Sequence, residues 1–236
     1  MRSTSRPHYP PPIISPATFT DIPDLVRVQV NAERPNLLHQ IAWPSGEEYA
    51  KMLTDMFTLG ISHPSMLFMK AVDAETNEIT ALAMWQRIGY DEKEPPAPIQ
   101  VQAGLLFPAR QNRPFNKFID QTFRGFLDAW ASPTKHLSLA LLMTDPKFQR
   151  RGIATAMLEW GHRHADLDRV PAFLIASPVG HPLYLSRGWK DVSVPFEIDL
   201  KDWVEYAKGG DMGWGTYRFY YMLRLPLRPG QPGTSQ

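Results

Sequence analysis

HLSLALLMTDPKFQRRGIATAMLEW, residues 136–160, is the stretch whose reading decides the fold. Its opening part, His136 to Thr144, is apolar enough for a strand buried on both faces. Asp145-Pro146 ends that strand, because proline has no amide proton for the ladder. From Ile153 the residues Ile153, Ala154, Met157, Leu158, Gly161 and Ala165 recur at helical spacing. Between strand and helix lies Gln149-Arg150-Arg151-Gly152-Ile153-Ala154. A helix start carries unpaired amide protons and a partial positive charge, which suits an anion. Gly152 has no Cβ to keep an anion from the backbone, and Ala154 keeps the first turn thin. These residues leave two readings open: a cradle for a diphosphate, or a basic, solvated turn between a strand and a helix.

Upstream, Phe115, Phe118, Ile119, Phe123, Phe126, Leu127 and Trp130 form a stripe at helical spacing, with Asn116 as a cap. Such a stripe packs an interior, here against the sheet. Before it, residues 89–113 form a long proline-rich insertion, read as a lid or as a surface excursion. Met66 to Val72 and Ile79 to Arg87 read as a hairpin around the polar turn DAETNE, with Trp85 as core or cleft wall. Ser45-Gly46-Glu47-Glu48 is a capping box opening a helix that runs to about Leu59, where Gly60 can stop it. Residues 31–44 lack clean periodicity and read as a loop with a helical turn. The chain opens with an edge strand at Ile13 to Thr18. Thr20 or Asp21 then caps a helix whose apolar face holds Ile22, Leu25, Val26 and Gln29.

Downstream, Val170 to Ala176 reads as a central strand and Val179 to Ser186 as a short helix ending at Gly188. Two closing strands follow, at 189–200 and 217–225. Gly209, Gly210, Gly213 and Gly215 between them spell neither G-x-G-x-x-G nor a P-loop, and read as a loop. The prolines gather in tails and loops. We read 1–12 and 227–236 as disordered tails and 13–226 as a single domain. The two arginines of the first segment hint at a transit peptide, but its prolines oppose the amphipathic helix that such a peptide needs.

Composition narrows the function classes. A net charge of +1 over 236 residues argues against an electrostatic nucleic-acid binder. No apolar run is long enough to span a membrane. The chain has 0 cysteines, which excludes disulfides, a cysteine nucleophile and thiolate metal sites, and is compatible with a cytoplasmic location. The seven histidines are scattered and no H-E-x-x-H or other ligand spacing occurs, so no metal site is expected.

The segment Q-x-x-G-x-A at Gln149 to Ala154, after a strand ending in T-D-P, resembles the acetyl-CoA signature of the GNAT acyltransferase superfamily. A second stretch is similar to another of that family's segments: Ala176-Ser177-Pro178-Val179-Gly180, then Leu183-Tyr184-Leu185-Ser186-Arg187-Gly188-Trp189, with Trp189 in place of phenylalanine. The opening Ile14-Ser15-Pro16-Ala17-Thr18 is similar too. The resemblance implies an α/β fold with a mixed, twisted central sheet of about seven strands, flanked by helices and splayed between the fourth and fifth strands. It also implies acetyl-CoA as co-substrate, no metal, and transfer of an acetyl group to an amine by direct attack in a ternary complex. The preferred acceptor is a small molecule, and the protein is expected as a monomer or homodimer without nucleic-acid or membrane partners.

The resemblance also assigns residues. The diphosphate falls to the amides of Arg150, Arg151, Gly152, Ile153, Ala154 and Thr155, with Gln149 and Ser177 part of the cofactor site. An amide near Met143 or Thr144 polarises the thioester carbonyl. Tyr184 contacts the cofactor and holds the general-acid position, where a phenol can protonate the departing thiolate. Many relatives carry a glutamate as general base on the strand before the signature; here the aligned residue is Ala140. His39, His136, Asp145 and His181 are the candidates left. Ala140 keeps open a sensor that binds coenzyme A without turnover. A different acyl group, a hydroxyl acceptor and a nucleotide-phosphate binder are the further alternatives.

Overall fold

The computed structural model describes residues 9–43, 46–90, 112–130, 134–206 and 215–227. Its strands are β1 (Ile13–Pro16), β2 (Met66–Val72), β3 (Ile79–Ile88), β4 (His136–Thr144), β5 (Ala172–Ala176), β6 (Lys190–Asp191), β7 (Phe196–Asp199) and β8 (Thr216–Arg224). Its helices are α1 (Ile22–Glu33), α2 (Leu37–Ala42), α3 (Gly46–Ser62), α4 (Arg113–Trp130), α5 (Ile153–Asp168) and α6 (His181–Leu185). The sheet order is β1-β2-β3-β4-β5-β8-β6, with β7 paired to β8. Every pairing is antiparallel except β4 with β5, which are joined through α5. The mixed, helix-flanked sheet matches the expected architecture. The stretch read as one closing strand, 189–200, is instead divided between β6 and β7.

The centre of the sheet is set by one extra residue. The β3–β4 register passes from Met84↔Leu141 to Trp85↔Leu139, so Ala140 has no partner on β3. A bulge of this kind bends its strand and shifts the side-chain alternation by one. Leu137 and Leu139 therefore face the core with α5, whereas Leu141 and Met143 face the core with α1 and α3. Ala140 itself is exposed. β5 pairs with β4 only over Leu137↔Ala172 to Leu139↔Leu174, so the two strands part beyond the bulge.

Helices cover both faces. α5 lies on one, where Gly161 meets the buried Trp85: a Cβ added at Gly161 would stand 2.1 Å from the indole. Trp85 is thus core rather than cleft wall. On the other face, α1 and α3 cover β2, β3 and the distal half of β4. α2 and α4 cover β5, β7 and β8. The aromatic stripe of α4 packs as expected, with Phe118 on Phe196, Phe123 on Phe219 and Phe126 stacked on Tyr221.

Three local readings change. α1 continues to Glu33 and α2 follows, where a loop was read, because Asn36 caps α2 by accepting from the Leu38 amide. α3 runs through Gly60 to Ser62. Gly60 is a contact point, with its missing Cβ facing Met84 and Phe68, rather than a stop. The strand expected from Val170 begins at Ala172, after Pro171. Ser45, Gly209, Gly210, Gly213, most of the 89–113 insertion and the greater part of both tails lie outside the described residues. Among the described residues no helix is long and apolar enough to cross a membrane.

Candidate active site

The parting of β4 from β5 leaves one edge of β4 without a ladder partner beyond Leu139. Asp145 donates its amide to Thr80 on β3. Successive residues of a strand alternate sides, so the Thr144 and Leu142 amides face the opening and the Met143 amide faces β3. Of the two amides named from the resemblance, that of Thr144 faces the opening and that of Met143 faces β3.

At the mouth of this opening stands the turn 149–152. Asp145 begins it by accepting from the Lys147 amide. Gly152 is in the left-handed region at φ 80, a conformation costly for a residue with a Cβ, and serves as N-cap of α5 with no side-chain cap. A Cβ built on Gly152 would meet nothing within 4 Å. Among the described residues the first-turn amides of Ile153, Ala154 and Thr155 have no acceptor, and the intrahelical ladder begins with Ala156 donating to Gly152. The side chains around them are braced elsewhere. Gln149 donates through Nε2 to the Thr144 carbonyl at 3.2 Å, tying the turn to β4. Arg151 donates to the Lys147 carbonyl, lies over the Phe148 ring and pairs loosely with Asp73. Arg150, at φ 65, is exposed.

Ser177 follows β5 at the same mouth, and its Oγ accepts from the Gly180 amide. Tyr184, on α6, packs into the α5 side of the core near Trp189. Burial pushes its phenol well above the ordinary tyrosine range, so it stays protonated at neutral pH. The residue is 9% exposed. Thr144 Oγ1 is buried without a partner among the described residues.

On the opposite face a polar cluster fills the junction of α1 and α2. Glu33 ends α1 half-buried, and its Oε2 accepts from Asn36 Nδ2 at 2.8 Å. Burial raises its carboxyl, with the Asn36 hydrogen bond acting against the shift. Tyr49 of α3 accepts from Gln29 at 3.0 Å and lies tilted against His39, at 4.2 Å between ring centroids. Burial and the nearby Glu33 charge push the Tyr49 phenol up. Burial pulls His39 down to about 4, so it is neutral at pH 7. Tyr217 of β8 is pushed up to about 12 by burial and by Glu33, with the Asn36 and Ser177 side chains acting the other way.

This geometry sorts the four candidate bases. His136 sits at the far end of β4, paired with Ile88 and bonded to the Thr134 carbonyl. Asp145 is buried, with Oδ2 held by Arg27 at 2.9 Å and Asn31 at 3.0 Å, which anchors α1 to β4. His181 pairs with Asp191 and stacks on Tyr220. His39 alone belongs to the cluster at the junction. Glu33, at the same junction, continues the face Ile22, Leu25, Gln29 by one more turn, which aims it inward.

No model of a known protein family matches the chain. Over 63 residues, 25% of this chain and 27% of the relative, it is 41% identical to a protein of Stachybotrys chartarum named "Acetyltransferase". The match thus spans about a quarter of that relative's length. A structure described as histone acetyltransferase HPA2 and related acetyltransferase from Corynebacterium glutamicum aligns with a TM-score of 0.57 and 22% identity, covering 94% of this chain and 100% of that one. The C-terminal condensation domain of Ebony, in complex with beta-alanyl-dopamine, aligns with a TM-score of 0.62 and 13% identity over 91% of this chain and 98% of its own. The PaiA N-acetyltransferase of Thermoplasma acidophilum, in complex with coenzyme A, aligns with a TM-score of 0.50 and 11% identity over 91% and 98%. The chain has the fold of the GNAT N-acetyltransferases, as its sequence resemblance implied.

Proposed function

We propose that this chain is an N-acetyltransferase that moves an acetyl group from acetyl-CoA to the amine of a small molecule, both bound at once. The observation that carries the reading is the opening between β4 and β5, with a turn of free amides at its mouth. The residues fit the co-substrate. The amides of residues 150–155 would hold the diphosphate, with open space at Gly152 for it. The free edge of β4 would pair with the pantetheine arm as an added strand does. Bound there, acetyl-CoA supplies an activated acyl group as a thioester.

The chain's own residues do the rest. The Thr144 amide, directed into the opening, would stabilise charge on the thioester oxygen, a contribution of about 3 kcal/mol for a prepositioned donor. Tyr184 would hold its proton until the thiolate departs, which its raised pKa allows. Gln149 would keep the turn in register with β4 through the Thr144 carbonyl. A neighbour of the same fold in complex with coenzyme A and another in complex with beta-alanyl-dopamine support a coenzyme A donor and a small amine acceptor.

Calorimetric titration with coenzyme A, followed by thiol release from acetyl-CoA against a panel of small amines, tests this. Coenzyme A binding with acceptor-dependent thiol release is the expected result. Binding without release on any acceptor would make the protein a sensor instead, and preference for ATP over coenzyme A would remove the diphosphate reading altogether.

A further inference from the structure

Resting on the diphosphate placement proposed above, we infer that Tyr9, ahead of β1, is a positioning residue for the co-substrate: with Phe148 it holds the Arg151 guanidinium, and so fixes the amides around Arg151 for the diphosphate. The Cζ of Arg151 lies 4.6 Å from the centroid of the Tyr9 ring and 4.7 Å from that of Phe148. Its Nη2 donates to the Lys147 carbonyl at 3.1 Å. Its Nη1 stands 3.8 Å from Oδ2 of Asp73, whose Oδ1 accepts from the amides of Glu75 and Thr76. Phe148 is buried in the core with α5. The arginine side chain, 28% exposed, is thus held from the chain ahead of β1, from the β2–β3 turn and from the turn before α5.

The sheet brings these segments to one end. β1 runs antiparallel to β2 with Ile13 opposite Val72, so the chain ahead of Ile13 passes the β2–β3 turn that starts at Asp73. The Asp145 amide donates to the Thr80 carbonyl at the foot of the same turn, so the chain leaving β4 emerges beside it. Pro10, Pro11 and Pro12 join Tyr9 to β1. Each proline fixes its own φ and disposes the residue before it to be extended. Prolines in a row leave the linker few conformations, so ordering Tyr9 costs little entropy. Such an extended chain from Ile13 back to Tyr9 reaches about 12 Å.

Rings suit this task better than a carboxylate would. A carboxylate in tight contact cancels the charge of an arginine, whereas an aromatic face attracts the cation and leaves its charge in place. Asp73, at 3.8 Å, is beyond hydrogen-bond reach and cancels only part of it. The guanidinium therefore remains a cation beside the first turn of α5. Its immobility matters as much. Arg150 at φ 65 and Gly152 at φ 80 flank Arg151, and both are left-handed. An unrestrained chain has easier conformations open to it at Arg150. Holding the Arg151 side chain at its far end favours the observed turn before a ligand arrives, and a preorganised site loses less entropy on binding. Arg151 thus serves the diphosphate through its backbone and its charge.

Coenzyme A titrated calorimetrically into variants of the full chain tests the role. Tyr9→Leu, which keeps bulk and loses the aromatic face, should weaken coenzyme A binding roughly 3- to 10-fold, the reach of a partly exposed cation–π contact. Tyr9→Phe should stay within about twofold of wild type. Tm should move by less than about 2 °C in either variant, since Tyr9 is 39% exposed. Two readouts separate positioning from packing. Trifluorophenylalanine at position 9 keeps the shape of Tyr9→Phe but depletes the negative face of the ring, and should bind coenzyme A about as weakly as Tyr9→Leu. In an Arg151→Met background, Tyr9→Leu should change the affinity less than about 1.5-fold, because the contact it removes is already gone. Wild-type affinity in Tyr9→Leu, equal affinities for the two phenylalanines, or an undiminished effect of Tyr9→Leu in Arg151→Met would overturn the role of Tyr9 and leave the diphosphate at its turn. Wild-type protein that binds no coenzyme A would remove the diphosphate placement and this inference with it. If Arg151→Met binds too weakly to measure, the comparison of the two phenylalanines decides alone.

Discussion

Replacing Gly152 tests the cradle by charge at constant backbone strain. Gly152→Gln and Gly152→Glu share one cost, since both put a side chain on a residue at φ 80. That strain is about 1–2 kcal/mol, which for a chain of this size lowers Tm by roughly 2–8 °C. Neither variant meets a clash, because no atom lies within 4 Å of the new Cβ. They differ by one negative charge, held some 5 Å from where the diphosphate would rest. At an effective dielectric of about 20, a unit charge pair at about 5 Å interacts by roughly 3 kcal/mol. Gly152 is exposed, so salt trims this, but about 5 Å is inside the Debye length of about 8 Å. Coenzyme A should therefore bind Gly152→Glu roughly 30- to 200-fold more weakly than Gly152→Gln in calorimetric titration. The gap should narrow as salt rises. Equal affinities for the two variants would refute the placement of the diphosphate at this turn.

Gly161→Ala should lower stability by about 1–3 kcal/mol or more, because the new Cβ would stand 2.1 Å from the Trp85 indole and neither backbone nor ring can yield easily. Thermal unfolding with an unchanged Tm would show that α5 does not seat on Trp85 as described. Tyr184→Phe should slow turnover about 10²- to 10⁴-fold with coenzyme A affinity within twofold; a loss of affinity without a loss of kcat would assign the tyrosine to binding alone. His162 accepts from Trp189 Nε1 at 2.8 Å, and burial, with Arg224, pulls it down to about 3 from the ordinary 6.5. The unfolded chain therefore binds a proton that the fold rejects. The contribution is intact above about pH 6.5 and is lost as pH falls toward 3. Between pH 7.5 and 4.5, Tm should fall further in the wild type than in His162→Gln, whose amide can still accept from Trp189; parallel slopes would contradict this.

Local chemistry was legible. The alternation of apolar and turn residues around Asp145-Pro146 and Gly152 marked a strand, a tight turn and a helix start, because each depends on neighbours a few residues apart. The α4 stripe was legible for the same reason, and the second segment around Ser177 and Tyr184 placed those residues by resemblance. Glu33 was half legible: one more turn of the α1 face points it inward, yet Arg34-Pro35-Asn36 obscured where that helix ends.

What no local pattern contains is which side each residue faces once distant strands pair. Leu139 and Leu141 are two apart and would share a face in a regular strand, but the extra residue against β3 sends them into different cores. The same shift bends β4 away from β5 and opens the gap. It also leaves Ala140 exposed there. The meeting of Glu33 with Tyr49 and Tyr217, residues from α3 and β8, likewise arises only when two helices settle on two diverging wings. The sequence by itself determined the strand, the turn and the helix around Gly152, since short-range sterics and periodicity specify them. The opening beside it was decided by the tertiary structure, through a ladder register that only long-range pairing can set.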